Sequence, residues 1–370
     1  MSYVRTGAER LAADSALAGG TRLGLITNPT GVLPDLTHTA DALLAAGVPL
    51  TALFGPEHGV RGTAQANFSE PDTVDRRTGL PIYDTHKTDG EALDELVARS
   101  GVDTLVFDIA DVGARFYTYV WTMYDLLASA ARLGLRFVVL DRPNPLGGTI
   151  TEGPPLDPAF ASFVGRFPLP VRHGRTAGEL ATLFGFDVDL RVIRMTGWRR
   201  DLTFAGTGLP WVMPSVNMPT PDTALVYPGT GLFEGTNFSE GRGTTRPFEL
   251  VGAPYADDRF APALTALGLP GVRFRQTWFT PTFHKHAGAP VCGVQLHVHD
   301  ETAFRPVLTG LSMLHVARTL YADHLVWRGP ELFLDHLWGS DTLSACLDAG
   351  GDPRELCPEP GHPDGPLIYG

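Results

Sequence analysis

Val48-Pro49-Leu50-Thr51-Ala52-Leu53-Phe54-Gly55-Pro56-Glu57-His58-Gly59-Val60-Arg61-Gly62 is an apolar run that breaks into a turn carrying a carboxylate, an imidazole and a guanidinium. Residues 48–54 are short and apolar enough for a buried strand, and the Gly-Pro step forces the backbone out of the sheet. Upstream, Thr21 to Thr27 reads as a first strand closed by the turn Asn28-Pro29-Thr30-Gly31, and Thr37 to Ala46 has helical spacing. Downstream, the polar passage from Gly62 to Lys87 has the length of a functional loop. Asp89 can cap a helix running to Arg99, and Val102 to Ile109 is a third strand. A helix reaching about Leu133 follows, and Arg136 to Asp141 is a fourth strand. Strands and helices alternating at this spacing predict an α/β fold, a parallel sheet with helices on its faces. Three consecutive strands then end in acids: Glu57, Asp108 and Asp141. Ligands gather at the carboxyl ends of such strands, although an acid there also caps the next helix.

A chain of 370 residues suits two domains, which the composition divides at 1–249 and 250–370. The net charge of −12 and the lack of a long basic run argue against a nucleic-acid partner and leave a small molecule. No run reaches the roughly 18 apolar residues of a membrane span, so no membrane insertion is expected. The first residues lack the apolar core of a secretory leader, and a cytoplasmic location is expected. Cys292, Cys346 and Cys357 form no CxxC pair and read as free thiols.

Pro170 to Thr176 leads into a helix from Ala177 to Phe184, with Thr176 and Glu179 spaced as a capping box. His173 and Arg175 stand just before it, where an anion could sit. Leu190 to Met195 is a further strand, and Trp211 to Thr220 is a proline-rich rigid loop. Tyr227 to Phe248 is a second dense polar stretch, in which glycines allow close backbone approach to a ligand. Phe233, Phe238 and Trp211 could pack on sugar faces, while Glu234, Asn237, Glu240 and Arg242 could bind hydroxyls or a carboxylate. Gly229-Thr230-Gly231 lacks the third glycine of a dinucleotide fingerprint, and no phosphate-loop motif occurs. Beyond Leu250 a helix near 257–267, strands near 272–279 and 291–298 and a helix over 304–321 form the smaller unit. His284 with His286, and His297 with His299, have strand spacing that could serve a metal, but no supporting zinc or calcium motif accompanies them.

Five blocks resemble, in order, those of the bacterial exo-β-N-acetylmuramidase family, once a family of unknown function. They are residues 55–62, 107–119, 140–145, 214–220 and 233–245. The resemblance implies a Rossmann-like domain with a smaller C-terminal α/β domain closing the cleft. It also implies release of non-reducing terminal N-acetylmuramic acid from peptidoglycan fragments, without a cofactor. The family's catalytic Glu falls on Glu57, and His58 could orient it or share in proton transfer. Glycoside cleavage also needs a second group, for which Asp108, Asp111, Glu234 and Glu240 are the candidates. A cation must read the lactyl carboxylate of muramic acid, and Arg61, Arg115, His173, Arg175 and Arg242 are the candidates. Tyr117, Asp141, Asn144, Asn217 and Asn237 lie in or beside the same blocks and complete the expected substrate-binding set. The rival readings are a non-catalytic muropeptide-binding protein and a metal-dependent hydrolase.

Overall fold

The computed structural model describes residues 3–62, 69, 71–329 and 333–370; part of the polar passage expected over 62–87 thus lies outside the described residues. The chain opens with α1 (Gly7–Ala13), β1 (Leu23–Thr27), α2 (Thr39–Ala45) and β2 (Leu50–Gly55), followed by β3 (Thr73–Val74) and β4 (Pro81–Asp84). Next come α3 (Gly90–Ser100), β5 (Thr104–Asp108), α4 (Tyr119–Leu133), β6 (Arg136–Leu140) and the hairpin strands β7 (Glu152–Pro155) and β8 (Pro170–Arg172). Then α5 (Ala177–Phe184) leads to β9 (Asp189–Ile193). The main sheet has the order β3-β4-β2-β1-β5-β6-β9, parallel throughout except for β3 against β4. Its parallel strands carry the order of a doubly wound, Rossmann-like sheet, whose direction of winding reverses between β1 and β5.

The apolar runs of these strands serve both faces. Leu105 and Phe107 of β5, with Phe137 and Val139 of β6, pack beneath α3, α4 and α5; Val106, Val138 and Leu140 point to the opposite layer, against Ala8 and Leu11 of α1 and Leu43 of α2. Alternation over two covered faces is why the strands read as continuous apolar runs. α4 ends on Gly134 and α5 on Gly185, both in the left-handed conformation that lets a helix stop within one residue. The capping box of Thr176 and Glu179 forms at the start of α5.

The second unit begins with α6 (Pro221–Thr230) and adds β10 (Leu250–Ala253), α7 (Phe260–Ala266), β11 (Val272–Phe279), β12 (Val291–Val298) and α8 (Pro306–Tyr321). The short helices α9 (Phe333–Trp338) and α10 (Thr342–Asp348) complete it. Its sheet is antiparallel with order β10-β12-β11, and α6 packs along α8. That crossing is tight: a methyl group added to Gly229 would lie 1.9 Å from the Pro306 carbonyl oxygen, and one on Gly310 would lie 2.4 Å from that of Gly229. Residues 221–249 therefore lean on the C-terminal helices and sheet. The core beneath α4 and α5 continues into this unit through Leu232, Phe248, Leu311 and Trp338, so the two units share apolar packing. Among the described residues no helix is long and apolar enough to cross a membrane.

Tyr227 to Thr230, the start of the second polar stretch, is the last turn of α6, with Pro228 inside that helix. One expectation needs correction here. Phe233 and Phe238 are wholly buried in the core, so neither presents a face to a ligand.

Candidate active site

The chain leaves β2 through a tight turn in which the Gly59 amide donates to the Pro56 carbonyl oxygen at 2.9 Å. His58 occupies its third position with φ +71°, a left-handed conformation usually left to glycine. The turn lifts half-buried Glu57 out of the sheet edge and tucks His58 inward at 6% exposure. Thr118, the residue before α4, donates from Oγ1 to Glu57 Oε2 at 2.9 Å. Tyr119 roofs the turn, and its hydroxyl donates to the Pro214 carbonyl oxygen at 2.6 Å.

Glu57 and His58 face a cleft between the two units with about 1210 Å³ of empty space. The near wall is formed by residues 116–119 at the start of α4. The far wall brings Tyr227 from α6, then Glu234, Arg242, His284 from the β11–β12 connection, and Arg328; Phe163, Phe333 and Leu337 close one end. Tyr227 packs edge-on against Phe116, Tyr117 and Phe248, with centroids 5.1, 5.8 and 4.6 Å away. Burial raises its phenol far above the ordinary value, and Glu234, Glu57 and Glu240 act in the same direction against Arg242. Tyr227 thus lies within electrostatic reach of acids on both walls.

The far wall rests on a buried ionic cluster. Arg242 donates from Nη2 to Glu234 Oε2 at 2.9 Å, and its Nε lies 3.3 Å from Glu240 Oε1. Glu240 is fully buried. Lys285 Nζ meets its Oε2 at 2.7 Å and also donates to the carbonyl oxygens of Phe233 and Phe238 at 2.8 and 2.9 Å. His284 Nδ1 stands 3.2 Å from Glu240 Oε1. Burial alone would raise the Glu240 carboxyl, but Lys285, His284 and Arg242 hold it well below the usual carboxylate range. Burial would likewise lower the Arg242 guanidinium, which Glu234 and Glu240 instead raise. All three protons of the Lys285 ammonium are spent on this one spot. The connection between β11 and β12 is thereby fastened beneath the residues that form the far wall.

Of the expected site residues, Glu57, His58, Tyr117, Glu234 and Arg242 line the cleft, and Glu240 stands directly behind. The others are placed elsewhere. Asp108 forms a buried bidentate pair with Arg142, at 2.6 and 2.9 Å. Asp141 accepts from the Gly178 amide at the start of α5, from Thr176 Oγ1 and from the Tyr369 hydroxyl. Asp111 receives His173 Nε2 at 3.0 Å. The Arg175 amide donates to Nδ1 of the same ring, so Nε2 carries the proton and His173 is a neutral structural donor. Arg175 is turned to the Pro366 carbonyl oxygen.

Arg61 pairs with Asp75 at 2.7 Å. Arg115 is wholly buried and donates to the carbonyl oxygens of Pro154, Leu169, Leu337 and Trp338, tying the near wall to α9. Asn144 braces its own turn, and Asn237 holds the His324 carbonyl oxygen and the Val326 amide. Asn217 is buried and does not line the cleft. Trp211 borders a different, proline-walled cavity.

The histidine pairs also part company. His284 and His286 lie in the turn after β11, and His286 donates to the Asn237 carbonyl oxygen at 2.7 Å. His297 and His299 are exposed at the far end of β12. Among the described residues no group of three or more His, Cys, Asp or Glu is gathered as a metal site. The sequence reading missed Thr118, Tyr227, His284 and Arg328 as lining residues. Thr118 stood inside a quoted block, two residues from Phe116, whereas the others are brought in only by the closure of the second unit.

A family model described as exo-beta-N-acetylmuramidase NamZ, N-terminal, matches residues 23–222, and its C-terminal counterpart matches residues 225–359. A protein of Bacillus subtilis (strain 168) called peptidoglycan beta-N-acetylmuramidase NamZ is 47% identical over 354 residues, covering 94% of this chain and 85% of that protein. Two crystal structures of DUF1343 family proteins from Bacteroides fragilis share the fold. One has a TM-score of 0.86 and 34% identity, covering 96% of this chain and 94% of the other; the second has 0.76 and 29%, covering 96% and 93%.

Proposed function

The chain belongs to the exo-β-N-acetylmuramidase NamZ family, and from that premise we propose how its cleft takes a terminal N-acetylmuramic acid from peptidoglycan fragments. The protein is a glycosidase. The observation that carries the assignment of roles is that Glu57, alone among the three acid-tipped strands, opens into the cleft, opposite a wall bearing Glu234 and Arg242. Glu57 donates the proton to the glycosidic oxygen as that bond breaks, with Thr118 orienting its carboxyl group. Water supplies the hydroxyl that ends on the anomeric carbon. Glu234 is the second carboxylate, facing the oxocarbenium-like centre, because Asp108 and Asp111 are engaged away from the cleft and Glu240 is sealed behind Arg242. His58 adjoins the proton donor and shapes its turn. Arg242, His284 and Arg328 bring nitrogen donors to the far wall, and the lactyl carboxylate lies against them. Tyr117 and Tyr227 supply the apolar surface beneath the ring.

The test is turnover of a chromogenic N-acetylmuramide and of the matching N-acetylglucosaminide by wild type and Glu57→Gln. We expect the muramide alone to be cleaved, with kcat lower by about 10³ or more in the variant, the range seen when a catalytic group is removed. A variant as active as wild type would remove Glu57 from the chemistry. Binding of the muramide without turnover by wild type would make the protein a receptor. We further propose a cytoplasmic place of action, which the three free cysteines suit because cytosolic thiols stay reduced. Detection of the protein in the extracellular fraction of intact cells would overturn that placement.

A further inference from the structure

The small antiparallel sheet is closed along one edge and open along the other. At β10 the edge is taken, because Ser239 and Gly252 exchange both backbone bonds, at 2.7 and 3.0 Å. β11 is the opposite edge and is eight residues long. Among the described residues, 273–279 exchange no backbone bond with any segment but β12. A long strand with one row of amide and carbonyl groups unpaired is a template for another strand.

The side chains do little to guard this edge. Edges are ordinarily blunted by charge, proline or a bulge. β11 contains no proline and pairs with β12 in unbroken register, from Val272 opposite Val298 to Phe279 opposite Val291. Of its two charges, Arg275 is drawn back across its own sheet, where Nη2 donates to Gln295 Oε1 at 2.7 Å. Val272, Phe274, Gln276 and Trp278 share one face. There α7 packs over the first two with Phe260 and Leu264, whereas Gln276 and Trp278 stay exposed, Trp278 at 65%.

We propose that the open edge of β11 is an interface with a second copy of this chain, the two strands pairing antiparallel about a two-fold axis at Gln276. Two three-stranded sheets then become one continuous sheet. The side chains select both the occupant and the register. With the axis at Gln276, Phe274 of each copy meets Trp278 of the other, an aromatic pair on one face. On the other face Arg273 meets Phe279, a cation over a ring, and Arg275 meets Thr277. An axis one residue earlier would set Arg275 against itself, a like-charge pair. An axis one residue later would set Phe274 against Thr280 and lose the aromatic pairs. The interface also bears on the cleft. β11 runs into the turn that holds His284 and Lys285, and in this register the start of the second copy's strand lies beside Thr280, buttressing that turn from outside.

The test is the mass of the whole chain in solution, read by analytical ultracentrifugation over a concentration series for wild type and Trp278→Glu, with circular dichroism to confirm that both are folded. We expect a wild-type dimer that dissociates on dilution, and a dissociation constant raised about tenfold or more in the variant. Cross-linking reads the register. In a Cys292→Ala background, which leaves no thiol of the same chain beside the new one, Gln276→Cys should join to itself under mild oxidation and Arg275→Cys should not. Only residues facing each other at the axis come within disulfide reach. A wild-type monomer at every concentration, or a dimer that Trp278→Glu leaves as tight as before, would overturn the interface. A cross-link through Arg275→Cys in place of Gln276→Cys would overturn the register proposed. Should Trp278→Glu fail to fold, the wild-type mass and the cross-links decide alone. None of these outcomes depends on the glycosidase reading, since assembly and not turnover is measured.

Discussion

The carboxyl end of β2 and the carboxyl ends of β5 and β6 occupy the same rim of one sheet, and each carries an acid. Only the first opens into the cleft. After β5 and β6 the following loops return donors to the acids: Arg142, one residue beyond Asp141, reaches sideways to Asp108, and the start of α5 delivers Thr176 and the Gly178 amide to Asp141. After β2 the chain instead makes the Pro56–Gly59 turn, and the left-handed His58 swings Glu57 toward α4 and the second unit. Position at a strand end makes a carboxylate available. What the next few residues donate decides whether it becomes part of the scaffold or is left facing the cleft.

The comparison can be broken at Asp108. Asp108→Ala strands the Arg142 guanidinium, itself 7% exposed, and should lower the unfolding free energy by about 3–5 kcal/mol, measured by denaturant titration. If the variant lost activity while keeping its stability, the assignment of Asp108 to the scaffold would fail.

Asp141 offers a gentler break through pH. Burial raises its carboxyl from 3.8 to about 6, so between those values the folded protein holds a proton that the unfolded chain has released. Its contribution to stability is accordingly fullest below pH 3.8 and is lost as pH rises through about 6, a change on the order of 3 kcal/mol. Asp141→Asn should remove this slope while keeping the fold, since the hydroxyls of Thr176 and Tyr369 can turn to accept from the new amide. Unfolding curves of both proteins from pH 4 to 7 provide the check, and parallel curves would refute it.

The smallest effect sharpens the β2 side. His58→Gly relieves a left-handed backbone but also removes a buried imidazole that has interactions of its own, so the two effects oppose and a net loss of up to about 1 kcal/mol is expected, with a fall in turnover. A rise in the melting temperature would show that backbone strain outweighs what the imidazole holds together.

Much of this sheet was legible because two covered faces impose continuous apolar runs. The strands around residues 23, 50, 104, 136 and 190 all lie where their sequences place them. β4 was not, since Pro81-Ile82-Tyr83-Asp84 contributes only one fully buried residue within a polar stretch. α6 was missed because Pro228 and two glycines suggest loop. Thr220, whose side chain accepts from the Thr223 amide, and Pro221 at the first helical position were a readable start signal. The site was less legible than the fold. A carboxylate's availability depends on partners such as Arg142, which lies 34 residues from Asp108, and Tyr369, which lies 228 from Asp141. The far wall's support, Lys285, comes from a turn with no motif of its own.

The close crossing of α6 and α8 has a consequence for how this enzyme could change its diet. Tyr227 stands two residues before Gly229, and Glu234 five residues after, so the spacing of two helices sets where both side chains project. That spacing is permitted by the lack of β-carbons at Gly229 and Gly310. Adding a methyl at either glycine would act as a shim behind the wall, altering the breadth of the cleft without touching any group that lines it. Selection for a bulkier or slimmer substrate therefore has a dial outside the active site, and a search confined to lining residues would never turn it.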